Sequence, residues 1–332
     1  MHHHHYPLFL SLSLLPVFLL TTTSQRTAEY IKAIDPLPVP YPVLVDFTAP
    51  SLSLSDLTAP KLDEVNRTVF EWWYFDAISS SNPNVSLVLT FFTATATAFP
   101  LVPANSSSVL LSYVWASLPD GSVVVDHAVP GDATVLGDRD LSSGVWEGTG
   151  GWQGSACSKP RSFDLSLLLG PYLGWVDIVP ASKATVDMIV DGEAMRFTGF
   201  GYHDKNWGSR PFQTLMTSWS WGHAHIGPFS LVWFQYTPAT GLGHANSTAP
   251  VVSAYVERNG TVLVSGCEAG IVSVKEKRTQ AGGYGVEVGM ERVKVQVQGT
   301  AQVAGDGAHY VRWNGRVVGR CWGRRSRGGC GV

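Results

Sequence analysis

Residues 218–225 read Ser-Trp-Ser-Trp-Gly-His-Ala-His, a strict alternation of small and large side chains. Successive side chains on a β-strand point to opposite faces of the sheet, so the large residues share one face and the small ones the other. The small face permits close packing against another layer. The large face is an aromatic wall with two imidazoles, suited to an apolar ligand with one or two polar groups. It consists of Trp219, Trp221, His223 and His225.

Short strand-like segments flank this stretch on both sides. Residues 85–97 are β-branched and aromatic, Pro119-Asp120-Gly121 and Asp191-Gly192 are typical turn sequences, and Asn259-Gly260 is typical of a tight hairpin. Many strands at short spacing, with no long amphipathic helix between them, indicate barrels or sandwiches. We therefore predict an all-β protein with two β-barrel-like domains and a boundary near residues 205–215.

Length and charge narrow the class of protein. The chain has 332 residues, enough for about two domains, and only 15% of them are charged, with a net charge of −3. This balance argues against a nucleic-acid-binding protein, which would present a basic surface. The 12 Trp residues exclude a disordered chain and suggest aromatic-rich packing.

The two ends of the chain differ from the rest. Residues 6–20 form an apolar run too short for a stable membrane span, followed by small polar residues, and this predicts a secretory signal peptide over residues 1–24. Residues 25–60 form a Pro-rich lead-in, and residues 320–332 form an atypical basic tail. The protein is therefore expected in the secretory pathway or outside the cell. Sequons predict glycosylation at Asn66, Asn84, Asn105, Asn246 and Asn259.

A second segment, residues 71–77, reads EWWYFDA. In a strand both of its faces are bulky, so both are expected to be buried, and each carboxylate then needs a partner or a raised pKa. The alternative is a barrel strand with a purely structural role, in which both carboxylates have hydrogen-bond or ion-pair partners. The two faces are Glu71, Trp73 and Phe75 on one side and Trp72, Tyr74 and Asp76 on the other.

A third segment, residues 199–208, places polar side chains between glycines. In a strand, Tyr202 and Asp204 point together and can exchange protons with one substrate. His203 and Lys205 point the other way and can orient or polarise a carbonyl group. The alternative is a domain junction held by hydrogen bonds between Asp204 and Lys205.

The sequence lacks the motifs that mark several common kinds of catalytic or nucleotide-binding site. The chain has no G-x-S-x-G elbow, no Gly-rich phosphate loop, no dinucleotide fingerprint and no H-E-x-x-H motif. His203, His223 and His225 have no carboxylate at tight ligand spacing, so we predict neither a metal site nor a cofactor. What remains is an aromatic pocket with a few hydrogen-bonding groups.

Together, EWWYFDA, GYHDKNWG (residues 201–208) and SWSWGHAHIGPFSLVWFQY (residues 218–236) resemble the fungal Diels–Alderase family, which is related to the carotenoid hydratases, or hydroxyneurosporene synthase-like proteins. The resemblance covers roughly residues 40–319. It implies two lipocalin-like β-barrel domains in tandem, over residues 61–212 and 213–319, with the substrate pocket at or near their junction.

The resemblance also implies a reaction. It points to a cofactor-independent, stereoselective intramolecular [4+2] Diels–Alder cyclisation of a small hydrophobic polyene. The substrate would be polyketide-type, with a functional link to a polyketide synthase, and the product a decalin. By analogy with the hydratases, Tyr202 and Asp204 match a pair linked to protonation of a carbon–carbon double bond.

The candidate residues follow from the three segments and this resemblance. The catalytic candidates are Glu71, Tyr202, Asp204 and Lys205. The substrate-binding candidates are Trp73, Tyr74, Asp76, His203, Asn206, Trp219, Trp221, His223 and Trp233. Two alternatives stay open: a hydratase or isomerase that uses Tyr202 and Asp204 as the acid, and a non-catalytic lipocalin-like protein that binds a hydrophobic ligand.

Overall fold

The structure is a computed structural model that describes residues 29–51, 53–155, 167–169, 172–242, 249–278, 284–291, 293–321 and 329–330. The predicted signal peptide, Asn246 and most of the predicted basic tail lie outside these residues. No helix in these ranges is long and apolar enough to cross a membrane.

The first part of the described chain is built almost wholly of strands. Its elements are β1 (Tyr30–Ile34), α1 (Leu54–Thr58), β2 (Phe70–Ser79), β3 (Ser86–Ala94), β4 (Leu110–Ser117), β5 (Val123–Ala128), β6 (Ala133–Asp138), β7 (Leu141–Trp146), β8 (Gly150–Ser155), β9 (Leu167–Leu169), β10 (Leu173–Val190) and β11 (Glu193–Gly208). The second part continues in the same way. Its elements are α2 (Phe212–Leu215), β12 (Met216–Ile226), β13 (Phe229–Pro238), β14 (Val251–Arg258), β15 (Thr261–Gly266), β16 (Val272–Arg278), β17 (Tyr284–Met290), β18 (Val293–Gly305), β19 (Val311–Cys321) and β20 (Gly329–Cys330).

The strands up to β11 form two antiparallel sheets in the described ranges. A seven-stranded sheet has the order β5-β4-β3-β2-β11-β10-β9, and a four-stranded sheet has the order β1-β6-β7-β8. Between them lies a core rich in aromatic rings, with Trp73 and Phe91 from the larger sheet and Trp146 from the smaller one. β1 lies within the predicted Pro-rich lead-in, yet it pairs with β6 and completes the smaller sheet.

The strands from β12 onward form a second pair of antiparallel sheets in the described ranges. These have the orders β12-β13-β14-β15 and β16-β17-β18-β19-β20. Their shared core is mostly aliphatic and includes Leu231, Val256 and Val288. A side chain at Gly222 would overlap the ring of Trp233, with the added Cβ only 2.2 Å from the ring. Trp233 is the cross-strand partner of Gly222 on β13, so this glycine makes room for a large neighbour within the same sheet.

The large face of β12 lies against the seven-stranded sheet. Trp219 and Trp221 pack into the same cluster as Trp72 and Tyr74 of β2 and Phe234 of β13. The middle of the seven-stranded sheet, at β2, is therefore buried on both faces, because one face covers the first core and the other meets the second half of the molecule. This explains why both faces of residues 71–77 are bulky.

The predicted fold class, all-β with two lipocalin-like β-barrel domains in tandem, is confirmed. The exact boundary between residues 212 and 213 stays a prediction; it falls within α2, which joins β11 to β12. The Asn259-Gly260 hairpin is confirmed: both residues have positive φ, 49° and 77°, and they join β14 to β15.

Residues 185–190 lie at the end of the long strand β10, and residues 195–199 lie near the start of the long strand β11. These strands turn at Asp191-Gly192, where φ is again positive at both residues. Glycosylation stays a prediction. Among the predicted sites in the described ranges, Asn105 and Asn259 are exposed, whereas Asn66 and Asn84 are half-buried.

Candidate active site at the junction of the two halves

A cavity of about 280 Å³ lies between the seven-stranded sheet and β12. Its walls come from both halves of the chain and are mainly aromatic. The rings that line it belong to Trp72, Tyr74, Phe99, Trp115, Trp175, Phe212, Trp219, Trp221, Phe234 and Tyr310.

Packing between these rings fixes the shape of the cavity. Trp219 of β12 lies 6.1 Å from Trp72 of β2, 5.1 Å from Phe212 of α2 and 5.5 Å from Phe234 of β13, measured between ring centroids. Trp175 of β10 stacks on Phe234 at 4.8 Å. Aromatic pairs in this distance range stabilise one another, so these contacts favour the observed arrangement of the wall.

One corner of this cavity is polar, and it is built around Asp204. The register between β2 and β11 pairs Asp204 with Tyr74 and Asn206 with Trp72, which brings both polar side chains to the face that lines the cavity. Trp175 Nε1 donates to Asp204 Oδ2 at 3.0 Å, and Asn206 Nδ2 donates to Oδ1 at 2.8 Å. Burial raises the pKa of Asp204 to about 7, although these donors favour its ionised form.

Tyr202 links this corner to β12. Its hydroxyl donates to Asp204 Oδ2 at 3.0 Å and accepts from Trp221 Nε1 at 3.1 Å. Its ring stacks on the imidazole of His223 at 4.7 Å. Burial raises the pKa of Tyr202 well above its ordinary value, with Asp177 and Asp204 adding to the effect. Tyr202 is therefore a neutral hydroxyl that holds the Asp204 carboxyl in place.

Asp76 of β2 forms ion-pair contacts with residues from the second half of the chain. His223 Nε2 lies 3.0 Å from Asp76 Oδ1, and Arg312 of β19 donates to Asp76 Oδ2 at 2.6 Å and also to the Tyr74 hydroxyl. Burial opposes ionisation of Asp76, but Arg312 and His223 lower its pKa to about 2. The carboxylate is thus charged at neutral pH and paired across the junction.

A larger cavity of about 930 Å³ lies on the far side of this ion pair, between β12 and β19. It shares Trp219, Trp221 and Tyr310 with the first cavity, and its wall also includes Trp233 and His225. His225 stacks on Phe200 at 4.0 Å, and burial lowers its pKa to about 4. Within the described ranges, no group of three or more His, Cys, Asp or Glu residues is arranged to hold a metal ion.

The remaining predicted site residues lie on the opposite face of the seven-stranded sheet. Lys205 Nζ is 2.5 Å from Glu71 Oε1, donates to the Ala59 carbonyl and lies 5.2 Å from the ring centroid of Trp73. Burial lowers the pKa of Lys205 to about 8 and raises that of Glu71. Lys205 is fully buried, and neither it nor Glu71 lines either cavity.

His203 shares that face. Its ring stacks on Phe75 at 3.9 Å, and its Nδ1 lies 2.8 Å from the Tyr74 carbonyl oxygen. Burial lowers its pKa to about 4, so the imidazole is neutral. The structure therefore divides the predicted residues into two groups. Those on the cavity side of the sheet are Tyr74, Asp76, Tyr202, Asp204, Asn206, Trp219, Trp221, His223 and Trp233, and those behind the sheet are Glu71, Trp73, His203 and Lys205. In the first group, Asp76 and Tyr202 line neither cavity but contact His223 and Asp204, which do.

Sequence reasoning missed Trp175, Asp177 and Arg312. Trp175 and Asp177 stand two residues apart on β10 and therefore share one face of the strand. An aromatic and an acidic residue at this spacing in an apolar run could have marked both as site candidates. Arg312 had no such signal, because it meets Asp76 from 236 positions away along the chain.

Comparisons with known proteins concern the family and the fold of the chain. The Diels-Alderase-like family model matches residues 43–158 and 157–291. The quinolone epoxide rearrangement protein asqO of Emericella nidulans is 28% identical over 257 residues, which are 66% of this chain and 66% of that protein. The Diels-Alderase poxQ of Penicillium oxalicum is 25% identical over 314 residues, which are 81% of this chain and 67% of that protein.

Among solved structures, the crystal structure of CghA with Sch210972 superposes with a TM-score of 0.64. The sequence identity is 17%, over 82% of this chain and 87% of CghA, so this likeness concerns the fold. The chain spans about two thirds of the length of the two curated relatives. Because the family model matches both halves of the chain, the protein belongs to the Diels-Alderase-like family.

Proposed function

We propose that this protein is a cofactor-independent pericyclase that catalyses an intramolecular [4+2] cyclisation of a linear polyene in the junction cavity. The observation that carries the proposal is the cavity itself: aromatic rings from both halves enclose about 280 Å³ around one polar corner. Its membership in the Diels-Alderase-like family supports the same reaction class.

A [4+2] cyclisation needs neither a base nor a nucleophile. It needs the diene and the alkene of one flexible chain to be held close together in the reactive orientation, and such preorganisation can supply several kcal/mol of the barrier. The wall formed by Trp72, Trp219, Trp221 and Phe234 gives a flexible polyene an apolar surface to fold against. The opposing faces of that wall select one folded conformer, and thereby one stereochemical outcome.

The polar corner supplies the electronic part of catalysis. Asn206 lines the cavity and uses one N–H bond on Asp204, which leaves its second N–H as a donor. A hydrogen bond from this group to a carbonyl conjugated with the reacting alkene withdraws electron density from that alkene and lowers the barrier. Asn206 thus takes the role for which the sequence had suggested His203 or Lys205.

The substrate that fits best is a polyketide-type polyene with a conjugated carbonyl at one end, and its product is a decalin. The mainly aromatic lining matches a hydrocarbon chain, and the polar corner at Asp204 and Asn206 matches a terminal carbonyl. Such a chain is the product of a polyketide synthase, which is the partner we propose in the pathway.

The test is to incubate the purified protein with a linear polyenoyl tetramic acid and measure the rate and diastereomer ratio of cyclisation against a protein-free control. If the protein binds the polyene but changes neither the rate nor the diastereomer ratio, the result would favour a non-catalytic protein that binds a hydrophobic ligand.

Replacing Trp219 with Ala is expected to lower the cyclisation rate by about 100-fold and to erode the diastereomer ratio. The ring contacts Trp72, Phe212 and Phe234, so its loss widens the cavity and releases the folded polyene, and small misplacements of reacting groups have effects of this size. Rate and product ratio are measured by chromatography.

Trp152→Ala is the matched control. Trp152 packs on Trp73 at 5.4 Å, on the face of the sheet away from the cavity, so this variant should lower the melting temperature and keep the product ratio. Equal loss of selectivity in both variants would place the reaction elsewhere.

A second candidate is a proton-assisted rearrangement or hydration with Asp204 as the acid. The observation that favours it is the pKa of about 7 at Asp204, which leaves a large protonated fraction near neutral pH. The related protein asqO is named for the rearrangement of a quinolone epoxide.

The pH dependence of turnover separates the two reactions. Because Asp204 is protonated below its pKa, acid-dependent turnover should fall about tenfold for each pH unit above about 7. A cycloaddition assisted by Asn206 should stay within about twofold between pH 6 and pH 8. The measurement is kcat/KM at constant ionic strength, with the Asp204→Asn variant as control, since it cannot titrate.

A further inference from the structure

Asp177 of β10 is a buried acid next to the polar corner that the proposed reaction does not use. Its cross-strand partner is Asp204, so both carboxyl groups stand on the same face of the sheet. Directly opposed residues in an antiparallel pair have Cβ atoms about 4.5–5.5 Å apart. The pairing register shifts between Asp177 and Val179, and bulges of this kind re-aim a neighbouring side chain.

The two acids differ in their hydrogen bonds. Asp204 accepts from Trp175, Tyr202 and Asn206. Asp177 is fully buried, and in the described ranges neither of its carboxyl oxygens has a hydrogen-bond partner. Two ionised carboxylates side by side are strongly disfavoured in a buried site, so the one without donors keeps its proton. Burial, and then the charge of Asp204, raise the pKa of Asp177 well above its ordinary value.

Other ionisable groups also surround this pair. None of them forms a hydrogen bond with Asp177 in the part of the chain that the structure covers. They are Tyr202 on β11, Tyr74 and Asp76 on β2, and Tyr310 just before β19. His223 of β12 and Arg312 of β19 lie one contact further away, against Asp76.

We propose that Asp177 is a positioning residue that stays protonated at neutral pH and donates its O–H to Asp204 once Asp204 has given up its proton. In that step the O–H bond of Asp204 breaks, a C–H or O–H bond forms on the substrate, and the negative charge stays on Asp204. The proton of Asp177 remains on Asp177 and adds a donor to those from Trp175, Tyr202 and Asn206. The inference rests on the proposed role of Asp204 as the acid of this cavity.

Two substitutions separate donation from mere packing. Asp177→Leu fills the space without a donor, and Asp177→Asn keeps a neutral side chain that can donate. The readout is the titration of Asp204 by carbon NMR on protein labelled with ¹³C-aspartate, assigned with Asp204→Asn. We expect the Leu variant to raise the Asp204 midpoint by about one pH unit, a tenfold change in proton affinity, and the Asn variant to keep it within a few tenths. An unchanged or lower midpoint in the Leu variant overturns the proposal.

A second measurement covers the case in which the Leu variant does not fold. In the unsubstituted protein, the carboxyl resonance that disappears in Asp177→Asn should have the chemical shift of a protonated acid at neutral pH. Titration of that resonance near pH 4 overturns the proposal. Neither measurement uses a substrate, so the protonation of Asp177 can be confirmed even if the protein shows neither cyclase nor acid-dependent activity. Conversely, a failed titration leaves the cyclisation result untouched.

Discussion

Asp76→Ala is expected to lower the free energy of unfolding by about 3 to 5 kcal/mol. The substitution leaves the Arg312 guanidinium buried without its counter-charge, and it also removes the acceptor of His223. Breaking a buried ion pair from one side has effects of this size, because the remaining charge keeps its desolvation penalty. Equilibrium unfolding in urea measures the change.

The matched control removes both charges. Asp76→Asn combined with Arg312→Met should recover most of the lost stability, because no buried charge remains and the amide oxygen still accepts from His223. A loss below about 1 kcal/mol in the single Asp76→Ala variant would show that solvent reaches the pair.

The same carboxylate should make the protein sensitive to acid. Since the pKa of Asp76 falls to about 2 on folding, its contribution to stability is fully present above about pH 4 and is lost as the pH falls toward 2. The unfolding free energy of Asp76→Ala should therefore change less over that interval than that of the unsubstituted protein.

Glu71→Ala is expected to have an effect of similar size, about 3 to 5 kcal/mol, on the opposite face of the sheet. It leaves the Lys205 ammonium group without its counter-charge, because this group is fully buried and 2.5 Å from the Glu71 carboxylate. The double variant Glu71→Leu with Lys205→Met should recover most of this loss, since its apolar side chains fill a similar volume.

The double variant also decides what the pair does. We expect it to keep the cyclisation rate and the diastereomer ratio within about twofold, because neither residue lines the cavity. This outcome would assign Lys205 and Glu71 to stability, whereas sequence reasoning had placed both among the catalytic candidates. A 100-fold loss of rate in a stably folded double variant would restore their catalytic assignment.

Sequence patterns predicted the faces of the strands correctly. The alternation in residues 71–77 and 202–205 separates Tyr74, Asp76, Tyr202 and Asp204 from the residues behind the sheet, and the register of β2 against β11 confirms this division. Such a pattern is local, so it can be read from the sequence.

What the patterns could not predict is which face borders the cavity. The middle of the seven-stranded sheet is covered on both faces, so Trp73 and Trp72 look alike in the sequence. The choice depends on β12 packing against one face, and on Arg312 reaching Asp76 across the junction. Both are long-range contacts between side chains far apart in the sequence.

The shared wall of the junction cavity has a practical consequence for finding the substrate. Rings from both halves enclose the space, so a molecule bound there contacts both halves at once and adds to the cohesion between them. A ligand that binds only the folded state at 100 times its Kd stabilises it by about 2.7 kcal/mol. A thermal-shift screen of polyenes and quinolones, run without any assay of turnover, can therefore rank substrate classes by the rise in melting temperature.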